Sequence, residues 1–191
     1  MNFLAHIFLS GNDNELMIGN FIADFIKGQK KNEFPPQIVK GIELHRAIDD
    51  FTDHHPVTMQ SKRRLYPSQH KYSGVVVDLY YDHFLAKHFS AYSKVSLIEF
   101  ASFTYDIILL NKKILPPMVL NFLPYMIERN WLANYASFEG IDRTLIELGK
   151  RVSFENKMHE ASVDLKKHYS NFEEEFFLFF PQLINFVASK R

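Results

Sequence analysis

The scarcity of chain-breaking residues is the feature that most restricts how this sequence can fold. The 191 residues include only 7 glycines and 8 prolines, and apolar residues recur at helical spacing in the long segments between them. The first such segment repeats apolar residues at i, i+3, i+4, i+7 and i+8, namely Ile18, Phe21, Ile22, Phe25 and Ile26. Few breakers over periodic segments favour helices over a sheet sandwich. We therefore predict an all-α protein.

About seven or eight helices are expected. Gly28 should end the first periodic segment, and Pro56 should end the second. The expected helices cover residues 18–26, 36–54, 73–89, 97–110, 118–131, 141–152 and 154–180. Because no internal repeat and no linker rich in glycine or serine divides the chain, residues 1–191 are predicted to form a single compact helical domain.

Composition excludes several classes of protein. The 22 basic and 22 acidic residues give a net charge of zero, whereas a nucleic-acid-binding protein normally has a basic surplus. No segment approaches the roughly 20 apolar residues of a membrane helix. No signal peptide is readable at the N-terminus, so a cytoplasmic location is expected. The absence of cysteine excludes disulfides and thiolate metal sites.

The 36–54 helix has polar residues where its apolar face should continue. At 100° per residue, Ile38, Ile42, His45 and Asp49 all fall within about 60° of one another around the helix axis. Arg46 lies at the edge of this face. The His45–Asp49 pair has i, i+4 spacing, so both side chains can be directed at one point.

The 73–89 helix shows the same conflict with two carboxylates. Asp78 and Asp82 lie in or beside the apolar face that begins with Val75, and His83 is adjacent. A buried, unpaired carboxylate costs several kcal/mol, and two carboxylates four residues apart repel each other. A bound metal cation would relieve both the desolvation and the repulsion.

Two more residues extend this cluster, namely Asp24 at the edge of the first helix face and His6 in the segment 2–9. Oxygen and imidazole nitrogen donors suit Mn²⁺, Fe²⁺ or Mg²⁺, and Zn²⁺ less specifically. The predicted ligands are drawn from Asp24, His45, Asp49, Asp78, Asp82 and His83. Each pair alone is more typical of a structural contact, so the prediction of a metal site depends on their occurring together.

Two other classes of protein match parts of the pattern. A di-iron helical oxidase requires Glu-x-x-His on two helices, and no glutamate in this chain has a histidine three residues later. A non-catalytic helical module that binds an acidic partner would need a basic patch but no buried Asp/His cluster. The candidates for such a patch are Lys27, Lys62, Arg63 and Arg64.

Six collinear blocks of sequence are informative together, although each is weak alone. They are Asn2-Phe3-Leu4-Ala5-His6, Gly19-Asn20-Phe21-Ile22-Ala23-Asp24-Phe25, Phe34-Pro35-Pro36, the segment from Gly41 through His45-Arg46 to Asp53, Asp82-His83-Phe84-Leu85, and Phe177-x-x-Phe180-Pro181. This set resembles the acyl carrier protein phosphodiesterases over nearly the whole chain. That family is related to the metal-dependent HD phosphohydrolases, so the resemblance implies an HD-phosphohydrolase-like helical fold.

The resemblance also implies an activity. Members use a divalent cation, preferably Mn²⁺, with Mg²⁺ or Fe²⁺ as alternatives, to remove 4′-phosphopantetheine from holo acyl carrier protein. The family's motif residues fall on Asp24, His45, Arg46, Asp49, Asp82 and His83. This chain has no His-Asp dipeptide, so the ligand set of the HD enzymes cannot be copied onto it, and the choice among the carboxylates stays open.

Catalytic roles follow from the chemistry of these side chains. Asp49 or Asp78 would take a proton from water, and Arg46 would hold the phosphoryl oxygens. His6 or His83 would protonate the leaving serine oxygen. The acidic carrier protein would dock on Lys27, Lys62, Arg63 and Arg64. The alternatives are a binding module for that carrier protein and a hydrolase of another phosphate ester, and the sequence leaves the oligomeric state open.

Overall fold

The computed structural model describes residues 1–191 and contains helices but no strands. Its α-helices are α1 (Phe3–Leu9), α2 (Asn14–Ile22), α3 (Pro36–His54), α4 (Pro56–Gln69), α5 (Ser73–Lys87), α6 (Leu97–Leu110), α7 (Pro117–Glu128), α8 (Trp131–Asn134), α9 (Phe138–Arg151), α10 (Ala161–Lys167) and α11 (Tyr169–Ala188). Short 3₁₀ turns join several of them, including Ala23–Phe25 after α2. The predicted all-α class is confirmed. No helix combines the length and the apolar composition needed to cross a membrane.

The eleven helices exceed the predicted seven or eight because several segments divide further. The predicted boundaries of α3 and α6 are confirmed. Pro56 not only ends α3 but also opens α4, where it stands in the first turn and its missing N–H costs nothing. The single helix predicted over 154–180 is wrong, since α10 ends at Lys167 and α11 continues through Pro181 to Ala188.

The helices that bear the candidate site meet on one side of a single hydrophobic core. Helix α1 packs against α2 and α5, and α2 packs against α3. Aromatic residues of α11 fill much of the rest of the core, namely Phe172, Phe176, Phe179 and Phe180. The apolar faces read from the sequence therefore bring residues from the first third of the chain against α5.

Two glycines allow α2 and α3 to pack backbone against backbone. A Cβ atom at Gly19 would lie 2.0 Å from the carbonyl oxygen of Ile38, and one at Gly41 would lie 2.2 Å from that of Leu16. Any larger residue at either position would separate the two helices. This close approach brings the C-terminal end of α2 beside the middle of α3.

We predict that Gly41→Ala destabilises the protein by roughly 1–3 kcal/mol, the cost of overpacking a close contact. Urea unfolding measures this change in free energy. Gly74→Ala in α5 is the matched control, because its methyl group would meet only the flexible end of the Lys62 side chain, at 3.5 Å or more. The control should be neutral or gain up to about 1 kcal/mol from helix propensity. Equal losses in the two variants would contradict the close approach of α2 and α3.

Candidate metal centre

Two histidines and one aspartate converge between α1 and α3. Asp49 presents Oδ1 to His6 Nε2 and Oδ2 to His45 Nε2, both at 3.2 Å. The imidazole rings stack with their centroids 3.8 Å apart and their planes 12° apart. One ligand atom from each of the three residues lies within 4.8 Å of the other two. This spacing could accommodate a cation among them.

Asn20 fixes the orientation of both imidazoles, that of His6 through its side chain and that of His45 chiefly through its main-chain carbonyl oxygen. Its Nδ2 donates to the carbonyl oxygen of His6 at 2.8 Å and to Ser10 Oγ at 3.0 Å, so Oδ1 must act as an acceptor. His6 Nδ1 lies 2.9 Å from that oxygen, and His45 Nδ1 lies 2.8 Å from the Asn20 carbonyl oxygen. Both Nδ1 atoms therefore donate, and in a neutral ring the Nε2 lone pair then faces Asp49.

This arrangement is electrostatically incomplete at His6. Burial, together with the charge of His45, lowers the pKa of His6 to about 4, so the ring is neutral at pH 7. Its Nε2 lone pair then faces Asp49 Oδ1 and the carbonyl oxygen of Met1, each at 3.2 Å. Three acceptors directed at one another repel, and a cation between them would remove the repulsion.

The charge on His45 depends on its two carboxylate neighbours. Burial disfavours the imidazolium, but hydrogen bonds with Asp24 and Asp49 outweigh it and raise the pKa of His45 to about 9. The pKa of Asp49 is lowered because its hydrogen bond with protonated His45 and the charge of the Met1 amino group outweigh the effect of burial. Nitrogen and carboxylate oxygen donors of this kind suit Mn²⁺, Fe²⁺ or Mg²⁺.

Asp24 and Asp78 lie at the margins of the cluster. Asp24, in the turn after α2, places Oδ1 3.2 Å from His45 Nε2, and its side chain is 66% exposed. Asp78 of α5 lies 3.0 Å from the amino group of Met1, which is itself 3.6 Å from Asp49. Asp24 can thus approach the same cation as His45. Asp78 contacts the cluster only through the Met1 amino group.

The structure places Asp82 outside the cluster, at the start of α1. Its two oxygens accept backbone N–H groups of Asn2 at 3.2 Å, Leu4 at 2.7 Å and Ala5 at 3.4 Å. Burial raises the pKa of Asp82 to about 7 even though these hydrogen bonds oppose the shift. Its partners are backbone donors rather than the histidines, so we leave Asp82 out of the ligand set proposed below.

His83 is buried at a different place from the cluster. Its Nδ1 lies 2.7 Å from the carbonyl oxygen of Tyr135, and its Nε2 lies 2.9 Å from the hydroxyl of Tyr169. Both ring nitrogens are therefore engaged, and the ring packs against Phe138 and Tyr169. We therefore propose His83 neither as a metal ligand nor as the general acid.

Only some of the basic residues predicted to bind a partner are free of ion pairs within the chain. Lys62 is ion-paired with Asp53 at 2.7 Å, and Arg64 is ion-paired with the buried Glu175 at 2.7 Å. Lys27 and Arg63 are exposed and form no ion pair within the chain, and the same holds for Arg46, the residue predicted to hold the phosphoryl oxygens. A groove beside α4 and α5 is lined by Lys62, Arg63, Lys71 and Asp78, among other residues. Basic side chains therefore border an approach to Asp78.

Sequence reasoning missed Asn20 and the amino group of Met1 as parts of the site. Asn20 is completely buried on a helix that is otherwise apolar at its core-facing positions. An uncharged amide on an apolar face was a usable signal, because a buried amide needs hydrogen-bond partners. No comparable periodic signal locates a main-chain amino group.

Comparison with known proteins gives one consistent result. A sequence model of the family described as acyl carrier protein phosphodiesterase matches residues 1–183. A protein of that name from Enterobacter sp. (strain 638) is 30% identical over 192 residues, covering 100% of both chains. One from Escherichia coli O157:H7 is 30% identical over 191 residues, covering 100% of this chain and 99% of its own. No solved structure matches the chain.

We predict that Asn20→Ala destabilises the protein by roughly 2–4 kcal/mol, because several buried polar groups lose their partner at once. Chemical denaturation measures the loss. Asn121→Ala, at an exposed position of α7, should change stability by no more than about 0.5 kcal/mol. If the Asn20 variant were as stable as this control, the hydrogen bonds of the Asn20 side chain would not contribute to the stability of the fold.

Proposed function

The chain belongs to the acyl carrier protein phosphodiesterase family, and on that premise we propose that it hydrolyses the phosphodiester linking 4′-phosphopantetheine to holo acyl carrier protein. The products would be apo acyl carrier protein and 4′-phosphopantetheine. We further propose that the reaction depends on a divalent cation, Mn²⁺ by preference. His6, His45 and Asp49 would hold the cation, with Asp24 at the exposed side.

One observation supports metal dependence above the others. The Nδ1 atoms of His6 and His45 are engaged by Asn20, and both Nε2 atoms face the two oxygens of Asp49 at 3.2 Å. A second group that fixes the far nitrogen of a metal-binding histidine is typical of metal sites in proteins. Without a cation, the His6 lone pair faces only acceptors, so the geometry favours a bound ion.

The cation, when bound, would lower the pKa of its water ligand towards about 7 and withdraw charge from the phosphoryl oxygens. The residues of the chain would supply the remaining functions. Asp78, which lines the basic groove, would accept the proton of the attacking water. Arg46 is exposed and unpaired next to His45 in α3, and its planar fork of donors matches the non-bridging phosphate oxygens.

Recognition of an acidic carrier protein would require a local field, because the net charge of the chain is zero. The groove lined by Lys62, Arg63 and Lys71 supplies one, and Asp78 lies in the same groove. A prosthetic arm entering along this groove would reach Asp78 and, beyond it, the Met1 amino group and Asp49.

Incubation with holo acyl carrier protein and Mn²⁺, followed by intact-mass measurement, tests the proposed reaction. Loss of the mass of the prosthetic group from the carrier protein, with release of 4′-phosphopantetheine, is the expected result. An unchanged carrier protein in the presence of Mn²⁺, Mg²⁺ or Fe²⁺ would contradict the substrate. Hydrolysis that persists after removal of metal by a chelator would contradict metal dependence.

Metal binding gives a prediction that does not depend on activity. At one hundred times its Kd, Mn²⁺ should stabilise the protein by about 2.7 kcal/mol, seen as a rise in Tm that a chelator reverses. Asp49→Asn should abolish most of this rise, since it removes the charge that both Nε2 atoms face. Asp50→Asn is the matched control, because Asp50 is exposed and pairs only with His54. A Tm that does not change when Mn²⁺ is added would exclude a metal site of useful affinity.

Docking gives a separate prediction. Arg63→Glu should raise KM for holo acyl carrier protein and flatten its dependence on salt, because the association rate depends on exposed charges that salt screens. Hydrolysis of bis-p-nitrophenyl phosphate should change little. Lys113→Glu, an exposed charge reversal outside the groove, is the control. Equal losses on the protein and on the small substrate would show that Arg63 does not act in docking.

A further inference from the structure

A second cavity lies away from the candidate metal centre, where the start of α1 meets α8 and α9. Its walls include Asn2 and Phe3 on one side and Trp131, Tyr135 and Leu148 on the other. None of the three clustered residues His6, His45 and Asp49 contributes to its lining. Neither the family relationship nor the proposed reaction assigns it a ligand.

Three arginines make the lining of this cavity basic. Arg129, Arg143 and Arg151 all line it, all are exposed, and none forms an ion pair within the chain. The one acidic residue of the lining, Glu147, has its ion pair with Lys150 at 2.8 Å. Three arginines against one glutamate leave the walls with a surplus of two positive charges.

The hydroxyl of Tyr135 is a second, independent sign of a ligand. The residue is only 1% exposed and lines the cavity, yet its hydroxyl forms no hydrogen bond within the protein, whereas its carbonyl oxygen accepts one from His83. Buried tyrosine hydroxyls usually have a partner. The charges of Asp82 and of Arg151, which lines the same cavity, both act on this hydroxyl, and it is free to donate to an acceptor bound beside Arg151.

The size of the cavity limits what that acceptor can be. Its volume of about 60 Å³, at roughly 10–15 Å³ for each water by this measure, holds a group of about four to six heavy atoms. A phosphate group has this size, carries close to two negative charges, and fits the forked donors of arginine. A short carboxylate carries only one charge and would leave the surplus half-neutralised.

We propose that this cavity is a second anion site, which binds a phosphate monoester through Arg129, Arg143, Arg151 and the Tyr135 hydroxyl. The organic part of the ligand would extend outwards along Phe3 and Trp131, since both aromatic side chains are only partly buried. Trp131 is held in position by stacking on Phe122, with the two ring planes 6° apart. The ligand would therefore touch the residues that begin α1.

The chain has a single tryptophan, and it lines this cavity, so its fluorescence reports binding directly and without any assay of activity. Phenyl phosphate and inorganic phosphate are titrated into the full-length protein, with and without Mn²⁺, and benzoate is the carboxylate comparison. Both phosphates should change the fluorescence of Trp131, and the change should reach a plateau as the site saturates. Phenyl phosphate should bind more tightly than inorganic phosphate, because its ring lies on the aromatic wall, and benzoate should bind at least tenfold more weakly.

Variants decide whether the response comes from this cavity. Arg143→Gln and Arg151→Gln should each weaken phenyl phosphate binding at least tenfold, and Tyr135→Phe should weaken it about tenfold with Tm unchanged, because only an unpartnered hydroxyl is lost. Lys113→Gln, at an exposed basic residue that lines neither this cavity nor the docking groove, should bind normally. A titration that leaves the fluorescence unchanged, an equal response in all variants, or benzoate binding as tight as phenyl phosphate would each overturn the proposal.

Discussion

The hydrogen bonds of the Asn20 side chain hold together the three helices on which the candidate site depends. One amide joins the His6 carbonyl oxygen and Ser10 of the α1 segment to His6 Nδ1, and its oxygen also lies 3.2 Å from His45 Nδ1 on α3. The amide can reach both imidazoles only because α2 and α3 approach closely at Gly19 and Gly41. Fold and site therefore share one constraint, and the orientation of each imidazole follows from it.

Asp82, one of the predicted metal ligands, has a structural role at the start of α1. Helix α1 has only seven residues, and a helix of that length is unstable alone because its nucleus is costly. The Asp82 carboxylate accepts hydrogen bonds from N–H groups at the start of α1, which the helix itself cannot pair. Its negative charge also interacts favourably with the positive end of the helix dipole. By holding α1 against α5, Asp82 positions His6, although it is not directed at the cation site proposed here.

The sequence could predict the class of fold and part of the cluster, for identifiable reasons. Helical periodicity and the prolines gave the limits of α3, and the 100° rotation per residue put His45 and Asp49 together on its inner face, where the structure has them 3.2 Å apart. The same reasoning placed Asp82 and His83 near the core, and both are buried. Periodicity reports burial but not the partner, so it could not distinguish a metal from backbone N–H groups or from the tyrosines that engage His83.

We propose above all that His6, His45 and Asp49 together hold a divalent cation. Crystals of the protein grown with Mn²⁺ test it most directly, through an anomalous difference map recorded near the manganese absorption edge. We expect a single strong peak within bonding distance of Nε2 of both histidines and of Asp49, with Asn20 still hydrogen-bonded to their Nδ1 atoms. A map without a peak there, or with manganese bound at another group of residues, would contradict it.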